Sequence, residues 1–302
     1  MPSVSIIVNV CNGAATLREA LQSALGQTCT DWEMIVWDDR STDESAAIVS
    51  TIADPRIRYF LAPQQIPLGQ ARDAAIREAR GEWLAFLDQD DIWLPNKLEQ
   101  QLALDTSASV GLIYGRTVDF DPDGSERDHD YFHEFTRLPE GDISQELLGR
   151  GCFIAMSSAL VRRSEVLAIG NIPDEIGITP DYFLYVAVGS RCEARAVQDV
   201  VSRCRVHPGS MTTTYRREST EETLWLVERF REQVPLNVYR DRCKHTATVL
   251  AVEELRHRGT IVKGIGRLVK HGSVAWLVSR PFVHVWRRLR RKLRRPYWKM
   301  SA

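Results

Sequence analysis

The sequence WLAFLDQDDIWLP occupies residues 83–95. Its first five residues are apolar and predict a short buried strand. Four polar residues follow where that strand ends, and Pro95 then favours the start of a helix. The stretch therefore predicts that Asp88, Asp90 and Asp91 lie at the carboxyl end of a strand.

Three further strands precede this one and alternate with segments of helical spacing. Strands are predicted at 4–10, 32–37 and 56–61, and helices at 15–26, 42–52 and 68–80. Such alternation predicts an α/β sheet with helices on both faces, and ligands of these sheets bind beyond the carboxyl ends of the strands. Three polar clusters fall at such ends, namely residues 9–12, 38–39 and 88–91.

Asp88 and Asp90 are separated by one residue. Along an extended chain this spacing places both side chains on the same side. Two converging carboxylates repel each other unless a cation lies between them, and oxygen ligands favour Mg²⁺ or Mn²⁺ over zinc. The pair therefore predicts a divalent metal site, and the alternative is a solvated acidic turn.

Asp38 and Asp39 are adjacent at the end of the second predicted strand. Because neighbouring side chains on a strand point in opposite directions, only one of them can face a shared pocket. A carboxylate there can accept hydrogen bonds from a ribose or a base. The alternative is helix capping, for which Ser41 with Glu44 already offers a capping box.

Five segments together resemble a family 2 glycosyltransferase of the GT-A fold. They are VSIIVNVCNG (4–13), DDRSTDES (38–45), LGQARDAAIREARGEWLAFLDQDDIWLPNKLE (68–99), PDYFLYVAV (180–188) and RVHPGSMT (205–212). The resemblance covers roughly residues 1–215. It implies an open, Rossmann-like mixed sheet flanked by helices, a nucleotide-diphospho-sugar donor, a divalent metal and inversion at the anomeric carbon.

The resemblance also implies roles for individual residues near the donor. Asp39 is expected to bind the base, and Arg72 is expected near the nucleotide phosphates. Asp88 and Asp90 match the Asp-x-Asp motif of the family, with Asp90 the expected direct metal ligand. The residues expected to line the nucleoside pocket are Asn9, Cys11 and Asn12.

The family carries a Glu-Asp pair at the start of a helix, and here that pair reads Pro180-Asp181. We expect Asp181 to be the base that takes the proton from the acceptor hydroxyl. A later Asp of the family is Phe183 here, which predicts a more apolar acceptor pocket at this point. His207 follows a predicted strand, and the resemblance implies that it approaches the diphosphate or the metal.

The charge distribution separates the chain into an acidic body and a basic tail. Residues 1–240 contain 23 Lys and Arg against 37 Asp and Glu, whereas residues 241–302 contain 16 against 3. We expect a catalytic domain at 1–215, with donor binding at about 1–115 and acceptor binding at about 116–215. A helical region is expected at 216–302.

A basic amphipathic helix is predicted at about 281–295. Its apolar side chains are spaced by four, three and four residues: Phe282, Trp286, Leu289 and Leu293. Arginines occupy much of the remaining surface, which is typical of an interfacial anchor on an anionic membrane. The helix would alternatively pack on the acidic body, and no nucleic-acid recognition motif accompanies it, so we expect no nucleic-acid partner.

Neither a secretory signal nor a transmembrane helix is expected. The opening MPSVSIIVNV lacks a basic region, and the sequence has no uninterrupted apolar run of about 18 residues. Six cysteines occur without a Cys-x-x-Cys pair, which favours reduced thiols. These features predict a cytoplasmic protein attached peripherally to the inner face of the membrane.

The sequence leaves several functional alternatives open. No G-x-G-x-x-G motif follows the first strand, which excludes a Rossmann dehydrogenase. A nucleotidyltransferase of similar sheet topology and a catalytically silent subunit that binds nucleotide-sugar or lipid remain as alternatives. A UDP-sugar is the favoured donor, with GDP and dTDP open. The acceptor is expected to be a glycan or glycolipid.

Overall fold

The computed structural model describes residues 1–121, 124–128, 135–207, 209, 211–256 and 267. The chain divides into two compact units, Met1–Tyr239 and Arg240–Ala302. The basic helix predicted at 281–295 lies outside the described residues. Among the residues that are described, no helix combines the length and the apolar character needed to cross a membrane.

The first part of the chain forms the predicted alternation of strands and helices. Strands β1 to β4 are parallel and lie side by side in the order β3-β2-β1-β4. The elements in chain order are β1 (Val4–Val10), α1 (Leu17–Leu25), β2 (Trp32–Asp38), α2 (Ser45–Ser50), β3 (Ile57–Leu61), α3 (Leu68–Glu78) and β4 (Trp83–Phe86).

The second part adds strands of both directions to the same sheet and continues in helices. Its strands are β5 (Ile92–Trp93), β6 (Val110–Phe120), β7 (Glu126–Asp128), β8 (Leu160–Arg162) and β9 (Glu193–Arg205). Its helices are α4 (Lys97–Leu102), α5 (Ser144–Arg150), α6 (Arg163–Ile169), α7 (Pro180–Gly189), α8 (Met211–Thr214), α9 (Arg216–Arg229) and α10 (Leu236–Arg256).

The described strands form one mixed sheet in the order β3-β2-β1-β4-β8-β6-β9-β5, with β7 paired to β6. Strands β6 and β9 are parallel, whereas β8 is antiparallel to both β4 and β6. This architecture confirms the predicted mixed α/β sheet flanked by helices, followed by helical segments near the C-terminus.

Alternating side chains of β1 face two different helical layers. Val4, Ile6, Val8 and Val10 belong to one buried cluster, which also contains Leu17 and Leu21 of α1 and Val49 of α2. Helix α3 packs against β1 and β2. Because successive side chains on a strand alternate between faces, α3 covers the face opposite to α1 and α2.

The predicted capping box at Ser41 and Glu44 is wrong. Helix α2 begins at Ser45, and the Ser41 hydroxyl accepts a hydrogen bond from the Asn12 backbone N–H at 3.0 Å instead. The Asp43 carboxylate accepts hydrogen bonds from the Ser45 N–H and hydroxyl at 3.0 and 2.6 Å. Residues 38–45 therefore form a loop that is tied to the end of β1.

Candidate functional site

The loops that follow β1 and β4 meet at the point where the sheet reverses its strand order. The Cys11 N–H donates to Gln89 Oε1 at 2.9 Å, and Gln89 Nε2 donates to the Cys11 carbonyl at 3.3 Å. A Cβ atom at Gly13 would lie only 2.4 Å from Gln89 Oε1. The middle residue of the Asp-x-Asp motif thus fastens the motif to the first strand.

Asp91 also holds this loop in place through hydrogen bonds. Its carboxylate accepts a hydrogen bond from the Ser157 hydroxyl at 2.6 Å and one from the Arg205 N–H at 3.0 Å. The Ser157 hydroxyl in turn accepts the Asp88 N–H at 3.1 Å. Burial, together with the charges of Asp88 and Asp90, raises the pKa of Asp91 well above its usual range. Sequence reasoning missed the positioning roles of Gln89, Asp91 and Ser157.

Asp88 faces a buried arginine. Arg72 Nη2 lies 3.2 Å from Asp88 Oδ1, and the two side chains are 7% and 41% exposed. Burial is the chief reason that the pKa of Asp88 is raised to about 6, even though the side chain is partly exposed. Arg72 opposes this rise, whereas the charges of Asp90 and Asp181 add to it.

Asp90 faces the histidine that the sequence assigns to the same site. His207 Nε2 lies 2.8 Å from Asp90 Oδ2. Arg205, two residues before His207, donates from Nε to the Asp90 carbonyl at 2.9 Å and from Nη2 to Glu19 Oε2 at 2.5 Å. The end of β9 therefore holds the backbone of Asp90 and places His207 against its side chain.

Asp88, Asp90 and His207 carry oxygen and nitrogen donors of the kinds that bind divalent cations. Within the described ranges, however, no group of three or more His, Cys, Asp or Glu side chains is arranged so that it could hold a metal ion. Mg²⁺ and Mn²⁺ do not require such a group, because they take few protein ligands and complete their shell with phosphate oxygens and water. The repulsion that Asp90 exerts on Asp88 is the electrostatic condition that a cation would relieve.

Asp181 lies in the first turn of α7, directly after Pro180. Burial raises the pKa of Asp181, and the charge of Arg72 lowers it. The charge of Arg72 thus lowers the pKa of both Asp88 and Asp181, which indicates that the expected base and the Asp-x-Asp motif lie in the same region. Phe183 is buried, and its ring lies against Phe230 at 6.2 Å between centroids, so it supports the packing of α7.

The two carboxylates at the end of β2 have different environments. Asp38 accepts hydrogen bonds from the Ser41 N–H and the Tyr59 hydroxyl, both at 2.7 Å, and is used within the protein. Asp39 accepts the Ile66 N–H at 3.1 Å, and its burial raises its pKa. The role of Asp39 in binding the base stays a prediction.

The residues expected to line the nucleoside pocket do not share one environment. Asn12 is exposed, has a φ of 52°, and uses its side-chain oxygen to accept the Thr42 N–H at 2.8 Å. It therefore shapes the loop. Cys11 Sγ accepts a hydrogen bond from Gln65 Nε2 at 3.3 Å. Asn9 Nδ2 is buried without a hydrogen-bond partner among the described residues, which leaves a donor for a ligand or water.

Sequence comparison matches residues 5–168 to the family model described as Glycosyl transferase family 2. The chain is 30% identical over 219 residues to the UDP-Glc:alpha-D-GlcNAc-diphosphoundecaprenol beta-1,3-glucosyltransferase WfaP of Escherichia coli. The alignment covers 72% of this chain and 83% of WfaP. WfgD of the same species carries the same activity in its name and is 37% identical over 112 residues, or 37% of this chain and 44% of WfgD. The match thus spans less than half of WfgD.

Among solved structures, the chain is similar to the mannosyltransferase PcManGT from Pyrobaculum calidifontis in complex with GDP-Man and Mn²⁺. The TM-score is 0.63 at 17% identity, over 94% of this chain and 78% of PcManGT. This likeness confirms the predicted GT-A fold. Asp181 and His207 lie beyond the last residue of the family match, so their placement comes from the three-dimensional structure alone.

Proposed function

The chain belongs to glycosyl transferase family 2, and from this premise we propose that it is an inverting glycosyltransferase of the hexosyltransferase type. It moves a sugar from a nucleotide-diphospho-sugar to a hydroxyl acceptor by direct displacement. The observation that carries the proposal lies at the strand-order reversal of the sheet: Arg72 pairs with Asp88 and its charge acts on Asp181, while His207 contacts Asp90.

Asp181 acts as the base in this proposal. As the acceptor oxygen bonds to the anomeric carbon, the bond to the diphosphate breaks, and the hydroxyl proton passes to the Asp181 carboxylate. General-base assistance of this kind contributes roughly 10²- to 10⁴-fold in rate. Burial raises the pKa of Asp181 and so makes it a stronger proton acceptor than an exposed aspartate.

Asp88, Asp90 and His207 would hold a Mn²⁺ or Mg²⁺ ion. When bound, this ion offsets the negative charge that develops on the departing diphosphate. Arg72 contributes a fixed positive charge beside Asp88 and orients that carboxylate. The Mn²⁺ in the complex of PcManGT supports the assignment.

The donor is proposed to be a UDP-sugar and the acceptor a lipid-linked or growing cell-surface glycan. Support comes from WfgD and WfaP, whose names specify UDP-Glc and a diphosphoundecaprenol-linked GlcNAc. GDP remains an alternative because PcManGT binds GDP-Man. We assign donor binding to about residues 1–115 and acceptor binding to about 116–215.

A separate proposal concerns the basic tail. The spacing of Trp286 and Leu289 among arginines favours attachment to an anionic membrane, on the inner face where a cytoplasmic enzyme meets lipid-linked acceptors. Deletion of residues 281–302 is expected to move the protein from the membrane fraction to the supernatant. Unchanged partitioning of the truncated protein would refute the attachment.

The experiment that tests the function incubates the purified protein with Mn²⁺, UDP-, GDP- or dTDP-sugars and an undecaprenyl-diphosphate-linked GlcNAc acceptor. We expect acceptor-dependent release of nucleoside diphosphate and a product whose anomeric configuration, read by NMR, is opposite to that of the donor. Binding without release would favour the silent subunit. Formation of pyrophosphate from a sugar phosphate and a nucleoside triphosphate would favour the nucleotidyltransferase.

A further inference from the structure

The segment that leads into α7, residues 170–179, is fastened on one side to α3; we call it the 170–179 strap. The Ile172 N–H donates to Asp73 Oδ2 at 2.9 Å, and Gln70 Nε2 donates to Asp174 Oδ1 at 3.0 Å. A Cβ at Gly69 would lie 2.9 Å from the Ile172 side chain, so α3 and the strap approach closely. The helix that carries Arg72 is thus also the first anchor of the strap.

The second anchor is a single carboxylate from α9. Glu222 Oε1 accepts the Gly177 and Ile178 N–H groups, both at 2.9 Å. Its Oε2 accepts the Thr179 N–H and the Thr179 hydroxyl, both at 2.7 Å. Four donors therefore converge on one ionised group, and hydrogen bonds to a charged acceptor are roughly twice as strong as neutral ones.

These hydrogen bonds end two residues before the expected base. Thr179 directly precedes α7 and makes no side-chain cap to that helix, because its hydroxyl donates to Glu222. The position of Thr179 sets the start of α7 and hence the position of Asp181. The charge of Glu222 also reaches Asp181 and contributes to its raised pKa.

We propose that Glu222 is a positioning residue for the transfer reaction, which holds the 170–179 strap so that Asp181 meets the acceptor hydroxyl beside the donor. The inference rests on the proposed function and adds to it a residue from outside the expected catalytic domain. Glu222 lies beyond residue 215, the predicted domain boundary, and beyond residue 168, the end of the family match.

The test is Glu222→Gln, which keeps the side-chain length but replaces one accepting oxygen with an N–H₂ group that faces strap donors. We expect kcat to fall at least tenfold while the KM for the nucleotide-sugar changes less than twofold, because the hydrogen bonds of Glu222 go to residues 177–179 of the strap. Glu222→Asp keeps the carboxylate and should recover at least threefold of the lost kcat.

Glu221→Gln is the matched control, since it removes the same charge one residue earlier. Glu221 pairs with Arg217 along α9, and we expect kcat within twofold of the wild-type value. If Glu222→Gln does not fold, Thr179→Val removes only the hydroxyl contact and should lower kcat about threefold with an unchanged donor KM.

Two results would overturn the inference. The first is that the wild-type enzyme is active and Glu222→Gln has the same kcat as the control Glu221→Gln. If Glu222→Gln does not fold, the same comparison is made with Thr179→Val. The second is a parallel loss of kcat and donor binding, since this would indicate general loss of structure. An inactive wild-type enzyme would count against the proposed function instead, so the two failures are distinguishable.

Discussion

Asp88 and Asp181 both lie in the electrostatic field of Arg72, yet the chain places them by different means. Asp88 follows β4, a buried parallel strand between β1 and β8, and its loop is tied to the sheet through Gln89 and Asp91. Asp181 begins a helix whose approach segment is held by side chains from α3 and α9.

The difference separates a donor side that directly follows a buried strand from an acceptor side that follows an irregular segment. The strand fixes the start of the donor-side loop through backbone pairing, whereas the 170–179 strap depends on a few side-chain anchors. We therefore expect substitutions on the acceptor side to change the rate selectively, and substitutions on the donor side to change binding as well.

The largest expected effect is on the acceptor side, where Asp181→Asn removes the base. Transfer should fall about 10²- to 10⁴-fold, while the thermal shift produced by UDP with Mn²⁺ stays unchanged because the donor residues remain. Glu221→Gln, the control used above, removes a charge outside the strap and the site and should leave the rate within twofold of wild type. Retention of more than a tenth of the wild-type rate by Asp181→Asn would contradict the base assignment.

On the donor side, excess chelator should lower the rate about 100-fold or more, because a bound metal supplies several kcal/mol of charge stabilisation. Added Mn²⁺ should restore it. Asp90→Asn should raise the Mn²⁺ concentration needed for half-maximal rate and weaken donor binding, unlike Asp181→Asn. Full activity in excess chelator would remove the metal from the mechanism.

Arg72→Met tests whether the two sides share one electrostatic centre. Arg72 lowers the pKa of both Asp88 and Asp181, so its removal raises both, and a deprotonated base is then available only at higher pH. The acid limb of the pH–rate profile should move upward and cost about tenfold in rate near pH 6. Arg72→Lys keeps the charge and should leave the acid limb at its wild-type position. If Arg72→Met also left the acid limb at the wild-type position, the shared electrostatic centre would be contradicted.

Asp73, the α3 residue that anchors the strap, is expected to affect the rate least, and its effect is measured as a change in stability. Burial raises the pKa of Asp73 to about 6 from an ordinary 3.8. Between these values the folded protein binds more protons than the unfolded chain, so the free energy of unfolding falls as pH rises through this window.

Asp73→Asn removes the buried charge and keeps an oxygen for the Ile172 N–H. Urea titration at pH 7.5 should give a free energy of unfolding about 1–3 kcal/mol above wild type, and the gain should vanish near pH 4. A variant less stable than wild type at pH 7.5 would show that the charge itself holds the strap.

The sequence predicted the strands of the donor side well because their signals are local. Strand β1 spans Val4–Val10 as expected, and the apolar run before Asp88 forms β4. Arg72 contacts Asp88, and His207 contacts Asp90. The roles that the resemblance implies for these residues stay predictions.

The acceptor side was predicted less well because its contacts join residues that are distant in sequence. Ile172 lies 99 residues from Asp73, and Glu222 lies 43 residues from Thr179. No spacing rule connects such pairs. Strand β6 stays paired with β9 along its length through register shifts near Gly115 and Arg116. Such irregularities in a long strand leave no periodic signal in the sequence.

The contact between Gly13 and Gln89 has a consequence for engineering donor preference. Alanine at 13 would push its methyl group toward Gln89 Oε1, and the amide could yield only by releasing Cys11. A larger residue at 13 therefore requires a change at 89, and a change at 89 removes the hydrogen bonds to Cys11. Covariation of positions 13 and 89 is the practical unit of redesign.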